Sequence, residues 1–468
     1  MIEPALRPTR RTILQGAAVG AAAIAAPAAF TATVDDWAPA ERILARIRAP
    51  RFPARQFDIR HYGADPHDLK RTSAAIRAAI AACAASGGGR VEIPAGVWPT
   101  AGIRLKSGVE LHVAKGATLR FSTDPADYLP MVLTRFEGVE CMNYAPLIYA
   151  YEAHDIAVTG AGTLDGQADW HNWWNWISRS DKAIASGRQG AEQRLAQMAQ
   201  ANTPVERRAM GPGAYLRPSF IQPYRCRNVL IEGITVTGSP MWQLHPVLST
   251  NVTIRGVTMH SLGPNNDGCD PESCRDVLVE RCDFTTGDDC IAIKSGRNFD
   301  GRRVNVPSEN IVIRNCRMRD GHGGVTIGSE ASGGVRNVYV RDCHMGGTDL
   351  IRALRLKTNS YRGGYIENIL FRDVQVDRVR EGVLEISLLY GEGTGGHYLP
   401  RRVGGVTMRN VRSGGSLYAL DVQGYADLPI DSIRLENCAF EHVKKGNRLV
   451  HADVTARNVT INGKHWQP

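Results

Sequence analysis

The chain has 468 residues, of which 43% are apolar and 22% charged, with 48 glycines and a formal charge of +9. That apolar content excludes a disordered chain, and no apolar run in the body is long enough for a membrane-spanning helix. The length suits two or three ordinary domains or one solenoid, and the positive charge suits a polyanionic partner; no basic run with interleaved aromatics points to nucleic acid.

At the N-terminus, Thr9-Arg10-Arg11-Thr12-Ile13-Leu14-Gln15 precedes the Ala-rich run Gly16 to Ala26, and Ala26-Pro27-Ala28 offers small residues for cleavage. A twin arginine before a mildly apolar segment reads as a Tat-type signal peptide over residues 1–28, so a periplasmic or secreted protein is expected. Its removal takes away Arg7, Arg10, Arg11 and Glu3 and leaves +7. Residues 29–55, rich in Pro and Ala, read as a mobile leader with a short helix near Ala40 to Ile47, ahead of a single body over 56–468. Phe57-Asp58-Ile59 is a short strand. Asp68 to Ser86 carries Ile76, Ile80 and Cys83 at helical spacing and ends at Gly87-Gly88-Gly89. Such a helix would cover the open N-terminal end of a solenoid and hide its unpaired strand edges.

From Asp155 onward a ten-residue unit recurs, with later starts at Asn228, Asn251, Asp276, Asn310, Asn337, Asn368, Gly405, Ser432 and Asn458. Within the unit, apolar residues fall one, three, six and eight positions after the start, so strand alternation changes phase in the middle. A period-2 strand does that only if the chain bends. The bend position holds Gly233, Gly256, Arg281, Asn315, Asp342, Asp373, Asn410, Asn437 and Gly463, mostly residues that tolerate a left-handed backbone. Each unit is therefore two short strands around a corner, and the irregular period marks coils with loops of variable length. The fold expected is all-β: a single-stranded right-handed parallel β-helix with an N-terminal capping helix.

One position past the bend, Cys282, Cys316, Cys343 and Cys438 alternate with Ile234, Val257, Val374 and Val411. Cysteine trading with Val and Ile reads as a core thiol; disulfides among Cys269, Cys274 and Cys290 stay open. The main interruption, about 166–223, carries Trp170, Trp173, Trp174 and Trp176 and a charged helical stretch around Ala191 to Ala201, and reads as a large loop over one face.

A second strand follows each unit. Aligning Asp267-Gly-Cys-Asp, Asp289-Cys-Ile-Ala, Gly323-Gly-Val-Thr and Arg352-Ala-Leu-Arg places Asp267 and Asp289 in one column and Asp288 and His322 in the next. Arg355 and Lys357 alternate with Leu354 and Leu356 and so point outward on the same side. Clustered acids raise at least one pKa, which serves a glycosidase that needs one protonated acid and one carboxylate to direct water. Lys294 is undecided, and Trp242 with His245 is either a cleft lining or an ordinary surface pair. An Asp-Asp pair also suits a metal ion, but no further oxygen-ligand spacing accompanies it and the flanking cations oppose one; neither a metal nor another cofactor is expected.

Asn265-Asn266-Asp267, Gly287-Asp288-Asp289, Gly321-His322-Gly323 and Arg355-Leu356-Lys357 resemble the four signature motifs of glycoside hydrolase family 28, the polygalacturonases. The family's usual forms are Asn-Thr-Asp, Gly/Gln-Asp-Asp, Gly-His-Gly and Arg-Ile-Lys, so Asn266 and Leu356 are departures that remove no functional group. The resemblance implies Asp288 as general acid, Asp267 and Asp289 as the pair that positions and deprotonates water, and His322 as their tuning partner. It also implies that Arg355, Lys357, Asn265 and Gly323 bind substrate, a pectic polysaccharide or oligogalacturonide cleaved with inversion; the oligomeric state stays open, with a monomer expected. Exo action is expected if the Trp-rich insertion closes one end of the groove. The competing readings are a rhamnogalacturonan or other decorated-pectin hydrolase, a pectic lyase and a non-catalytic glycan-binding β-helix.

Overall fold

The computed structural model describes residues 35–178, 180–391 and 393–468; the expected signal peptide lies outside them. From Trp37 to Pro468 the chain forms one compact unit. Parallel ladders dominate it. Val229 pairs with Val252, then Val277, Ile311, Val338, Ile369, Val406 and Ile433 on successive coils, and all of these side chains are buried. Each such Val or Ile contributes about 1.5–3 kcal/mol by leaving water.

The corners explain why this sequence coils. Every bend residue named above has a left-handed backbone, from φ 53° at Arg281 to 78° at Gly233. The first residue of each unit is left-handed as well, from 53° at Asp155 and Ser432 to 63° at Gly405, a second corner that alternation alone does not reveal. At these corners Asn side chains bond along the axis: Asn251 to Asn228, Asn337 to Asn310, Asn368 to Asn337. Asn228, Asn310 and Asn337 thus each donate to one coil and accept from the next, which fixes the register.

Two helices dress the coil ends and faces. Helix α1 (Ala38–Arg46) carries the short helix expected near Ala40 to Ile47, and residues 37–48 are docked on the coils. Trp37, Ile43 and Ile47 pack on Leu278, Val312, Tyr339 and Leu370, an outward column that is apolar on these four coils. Arg46 bonds Asp276, and the Arg48 backbone exchanges hydrogen bonds with the Asn251 side chain. Helix α2 (Leu69–Ala85), with Asp68 accepting from the Arg71 N–H as its cap, buries Ile76, Ile80 and Cys83 over the first coils.

Helix α3 (Lys182–Gln200) belongs to the insertion, and helix α4 (Asn298–Val304) follows the second motif. Ala191, Leu195 and Ala199 of α3 join a second core with Phe136, Val139 and Cys141 of the antiparallel hairpin Val132–Phe136/Val139–Asn143 and with Met241 and Trp242. Hairpin and insertion together make a wall beside the coil that carries Trp242. All ten cysteines are free and buried, Cys269, Cys274 and Cys290 included. Among the described residues no helix is long and apolar enough to cross a membrane.

Candidate active site

The site lies on a six-stranded parallel sheet whose first members are β1 (Ile291–Ile293), β2 (Val325–Gly328) and β3 (Leu354–Lys357). Ile291 pairs with Val325 and Val325 with Leu354, while Cys269 bridges to Ile291. Asp267, Asp289, Gly323 and Arg352 therefore share a column, in the register expected from the alternation. Leu354 and Leu356 point into the core and send Arg355 and Lys357 out to the acids.

Asp289 is the most heavily held group. Lys357 Nζ donates to its Oδ2 at 2.7 Å, Thr326 Oγ1 donates to its Oδ1 at 2.9 Å, and Arg355 Nη1 stands 3.9 Å away. Burial alone would raise its pKa, but Lys357 and then Arg355 more than offset this and bring it down to about 2. Asp267, one coil earlier, behaves oppositely. Burial, and then the Asp288 carboxylate, push it well above the usual carboxylate range, with only Lys294, 3.8 Å away, as a close cation. His322 Nδ1 lies 2.9 Å from Asp288 Oδ1, and this bond raises the imidazole pKa against the effect of its burial. Asp288 Oδ1 also accepts the Asp289 N–H at 2.9 Å, which fixes the carboxyl orientation.

One oxygen each of Asp267, Asp288 and Asp289 lies within 4.8 Å of the others. These nearest oxygens are closer than the roughly 6.5–9.5 Å at which the carboxyl groups of inverting pairs usually stand. Such a cluster can gather a cation, but Lys294, Arg355 and Lys357 already bring three positive charges to it.

The remaining motif residues shape the turns around the acids. A Cβ at Gly323 would stand 2.2 Å from Thr326 Oγ1 and 2.9 Å from Asp289 Oδ1, so only glycine leaves Asp289 in place. Asn265, half-buried, accepts from Arg217 Nη2 at 2.6 Å. Asn266, where the family has Thr, is fully buried: its Oδ1 accepts from Ser261 and Gly263, and its Nδ2 donates to the Ser239 and Met241 carbonyls. It pins the turn that presents Asp267. Trp242 and His245 are neither a surface pair nor cleft-lining residues of equal standing. His245 is fully buried with its Nε2 2.8 Å from Glu272 Oε2, and the Trp242 ring covers Lys294 Nζ at 4.4 Å.

Lys294 is now placed: its ammonium sits 3.3 Å from Glu330, 3.5 Å from Asp270 and 3.8 Å from Asp267. Asp270, Thr326, Glu330, Glu385 and Tyr390 escaped the sequence reading. The first two were accessible to it, because Asp270 and Thr326 fall in the Arg355 column of the same alternation. Glu385 accepts from Arg355 Nε at 2.9 Å, and the Tyr390 ring lies 5.4 Å from Arg355 Cζ and 5.1 Å from Lys357 Nζ; both come from separate loops or coils that no motif announces.

The sequence pattern of glycosyl hydrolases family 28 matches residues 212–462, which include all four motifs. The chain belongs to this family. As a family 28 member it is a glycoside hydrolase built on the family's parallel β-helix. A solved hyperthermoactive exopolygalacturonase from Thermotoga maritima is 46% identical, with a TM-score of 0.88 over 92% of this chain and 96% of that one. The exo-poly-alpha-D-galacturonosidase of Dickeya chrysanthemi is 25% identical over 88% of this chain and 75% of its own. A probable polygalacturonase of Vitis vinifera is 27% identical over 78% of this chain and 69% of its own.

Proposed function

We propose that the protein hydrolyses α-1,4-galacturonosidic bonds of polygalacturonate from the chain end, with inversion at the anomeric carbon. The observation that carries the reading is the placement of Arg355 and Lys357 directly beside the acid cluster. Arg355 engages Glu385 only through Nε, which leaves its two amino nitrogens for a sugar carboxylate, and Lys357 adds a point charge. In this reading Asp288, oriented by His322 and the Asp289 N–H, gives its proton to the glycosidic oxygen as the bond from C1 breaks. A water held between Asp267 and Asp289 forms the new C1–O bond and loses a proton to Asp267, the stronger base of the two by its raised pKa. Asp289 stays ionised and aims the water. Three carboxylates, where a retaining pair needs two, support water attack over a covalent intermediate despite their closeness.

Exo action draws support from the wall of hairpin and insertion beside Trp242, one coil before Asp267, and from the two relatives named for exo cleavage. The test is product profiling on polygalacturonate with NMR of the first anomer released. Mono- or digalacturonate in the β form is expected; a ladder of oligomers would remove exo action, and an α product would remove inversion. Cleavage of neutral glycans in preference to polygalacturonate would remove the substrate. Export rests on the leader alone, and replacing Arg10-Arg11 by Lys-Lys should abolish it.

A further inference from the structure

Arg217 lies in the stretch that joins the insertion to the next coil, and it is 3% exposed. A guanidinium buried to this degree is ordinarily paired with a carboxylate, because desolvating it alone is strongly unfavourable. Among the described residues Arg217 makes no such pair. Nη1 donates to the carbonyls of Pro240 and Pro264, both at 2.8 Å, and Nη2 donates to Asn265 Oδ1 at 2.6 Å. Five N–H groups are available on the fork, so Nε–H and one Nη2–H have no acceptor. Burial, and then the field of Arg188 on α3, pull its pKa down to about 9, which leaves it charged at neutral pH. Arg355 and Lys357 each have a carboxylate close by; Arg217 has none. From the side of the insertion it meets Asn265, two residues before Asp267 in the chain.

Resting on the exo reading above, we infer that Arg217 anchors the carboxylate of the uronate at the end of the chain, its Nε/Nη2 edge gripping both carboxylate oxygens beside Asn265. A bidentate guanidinium–carboxylate pair of this kind is directional as well as strong. The terminal sugar supplies the counter-charge that the protein itself withholds from Arg217, and so the pair sets where the chain must stop. The blander role for Arg217, a clamp tying the Pro240 and Pro264 turns together, predicts no dependence on substrate charge.

The experiment compares trigalacturonate with the same trimer methyl-esterified only at its non-reducing-terminal carboxyl, on the wild type, R217K and R217Q. The wild type should show a KM roughly 30-fold higher for the esterified trimer, the scale of one lost charge-assisted contact, with kcat changed by less than about threefold. In R217Q the KM for the acid trimer should rise to match, and R217K should fall between. Equal KM values on the wild type would overturn the inference, and this comparison stands even if R217Q fails to fold. A folded R217Q with a lowered Tm but intact discrimination would also overturn it in favour of the clamp. Failure of the wild type on both trimers and on polygalacturonate would instead remove the galacturonan reading, and the anchor with it.

Discussion

Asp267 and Asp289 sit in one column on neighbouring coils, yet their surroundings drive them in opposite directions. On the C-terminal side the next coils deliver Lys357, Arg355 and Thr326 to Asp289. On the N-terminal side Asp267 meets Asp270, itself pushed up by burial and then by Asp267, with Lys294 shared between them and Glu330. A solenoid repeats the backbone but not the charges, so two equivalent positions one rung apart acquire different protonation. Separation of that sort is what lets a cluster of carboxylates divide its work.

The largest effect should come from Asp288→Asn, which removes the proposed proton donor and should lower kcat by about 10²–10⁴-fold while the melting temperature holds; a reducing-sugar assay beside a thermal melt reads both. Asp289→Asn set against Asp267→Asn separates the two environments most directly. Both should lose most of their activity, though no more of it than Asp288→Asn does. Asp289→Asn strands Lys357 without its buried counter-charge, leaves Arg355 with Glu385 alone, and should cost about 3–5 kcal/mol of stability. Asp267→Asn removes a carboxylate that burial already disfavours, so its stability should equal or exceed that of the wild type in urea unfolding. Equal destabilisation by the two would mean that their environments do not differ as described.

Lys357→Met sharpens the same contrast through pH. Asp289, held near about 2, contributes stability that is present above the ordinary carboxylate range and is lost as pH falls toward that value. Without Lys357 its pKa rises, so acid unfolding should begin at a higher pH than in the wild type. The raised Asp267 has the opposite sign: its protonated form is favoured, so kcat/KM should decline on acidification while the pH is still above the usual carboxylate range. That limb should survive in Lys357→Met, because Lys357 is a minor influence on Asp267.

Alternation and motif spacing made the β-helix and the column of Asp267, Asp289 and Arg352 legible, because both depend on strand period and register alone. The corner at Asn228, Asn251 and their successors was visible as a start but not as a bend, since a left-handed Asn leaves no phase shift at the edge of a unit. The wall beside Trp242 was illegible: α3 and the hairpin find each other through a second core whose members, Cys141, Leu195 and Met241, are far apart in sequence. Arg217 was hidden for the same reason, lying between repeats where no alternation constrains it. Docking of α1 had a signal, the run of Leu278, Val312, Tyr339 and Leu370 at an outward position, which a solvated face would not carry.

The smallest effect concerns the core behind this face. Cys282, Cys316 and Cys343 stack on successive coils where other coils have Val or Ile, and burial raises each of Cys282 and Cys316 well above the ordinary thiol range. A thiol so placed is a small apolar group and not a reagent. Cys316→Val should therefore cost less than about 1.5 kcal/mol, as a near-isosteric swap does, whereas Ile327→Ala, directly under Thr326 in β2, should cost about 2–5 kcal/mol. Thiol titration in denaturant without reductant should count all ten cysteines, and almost none in the native state; a disulfide among Cys269, Cys274 and Cys290 would show as a count of eight or fewer and would mean that the floor beneath Asp267 and Asp289 is cross-linked and not held by packing.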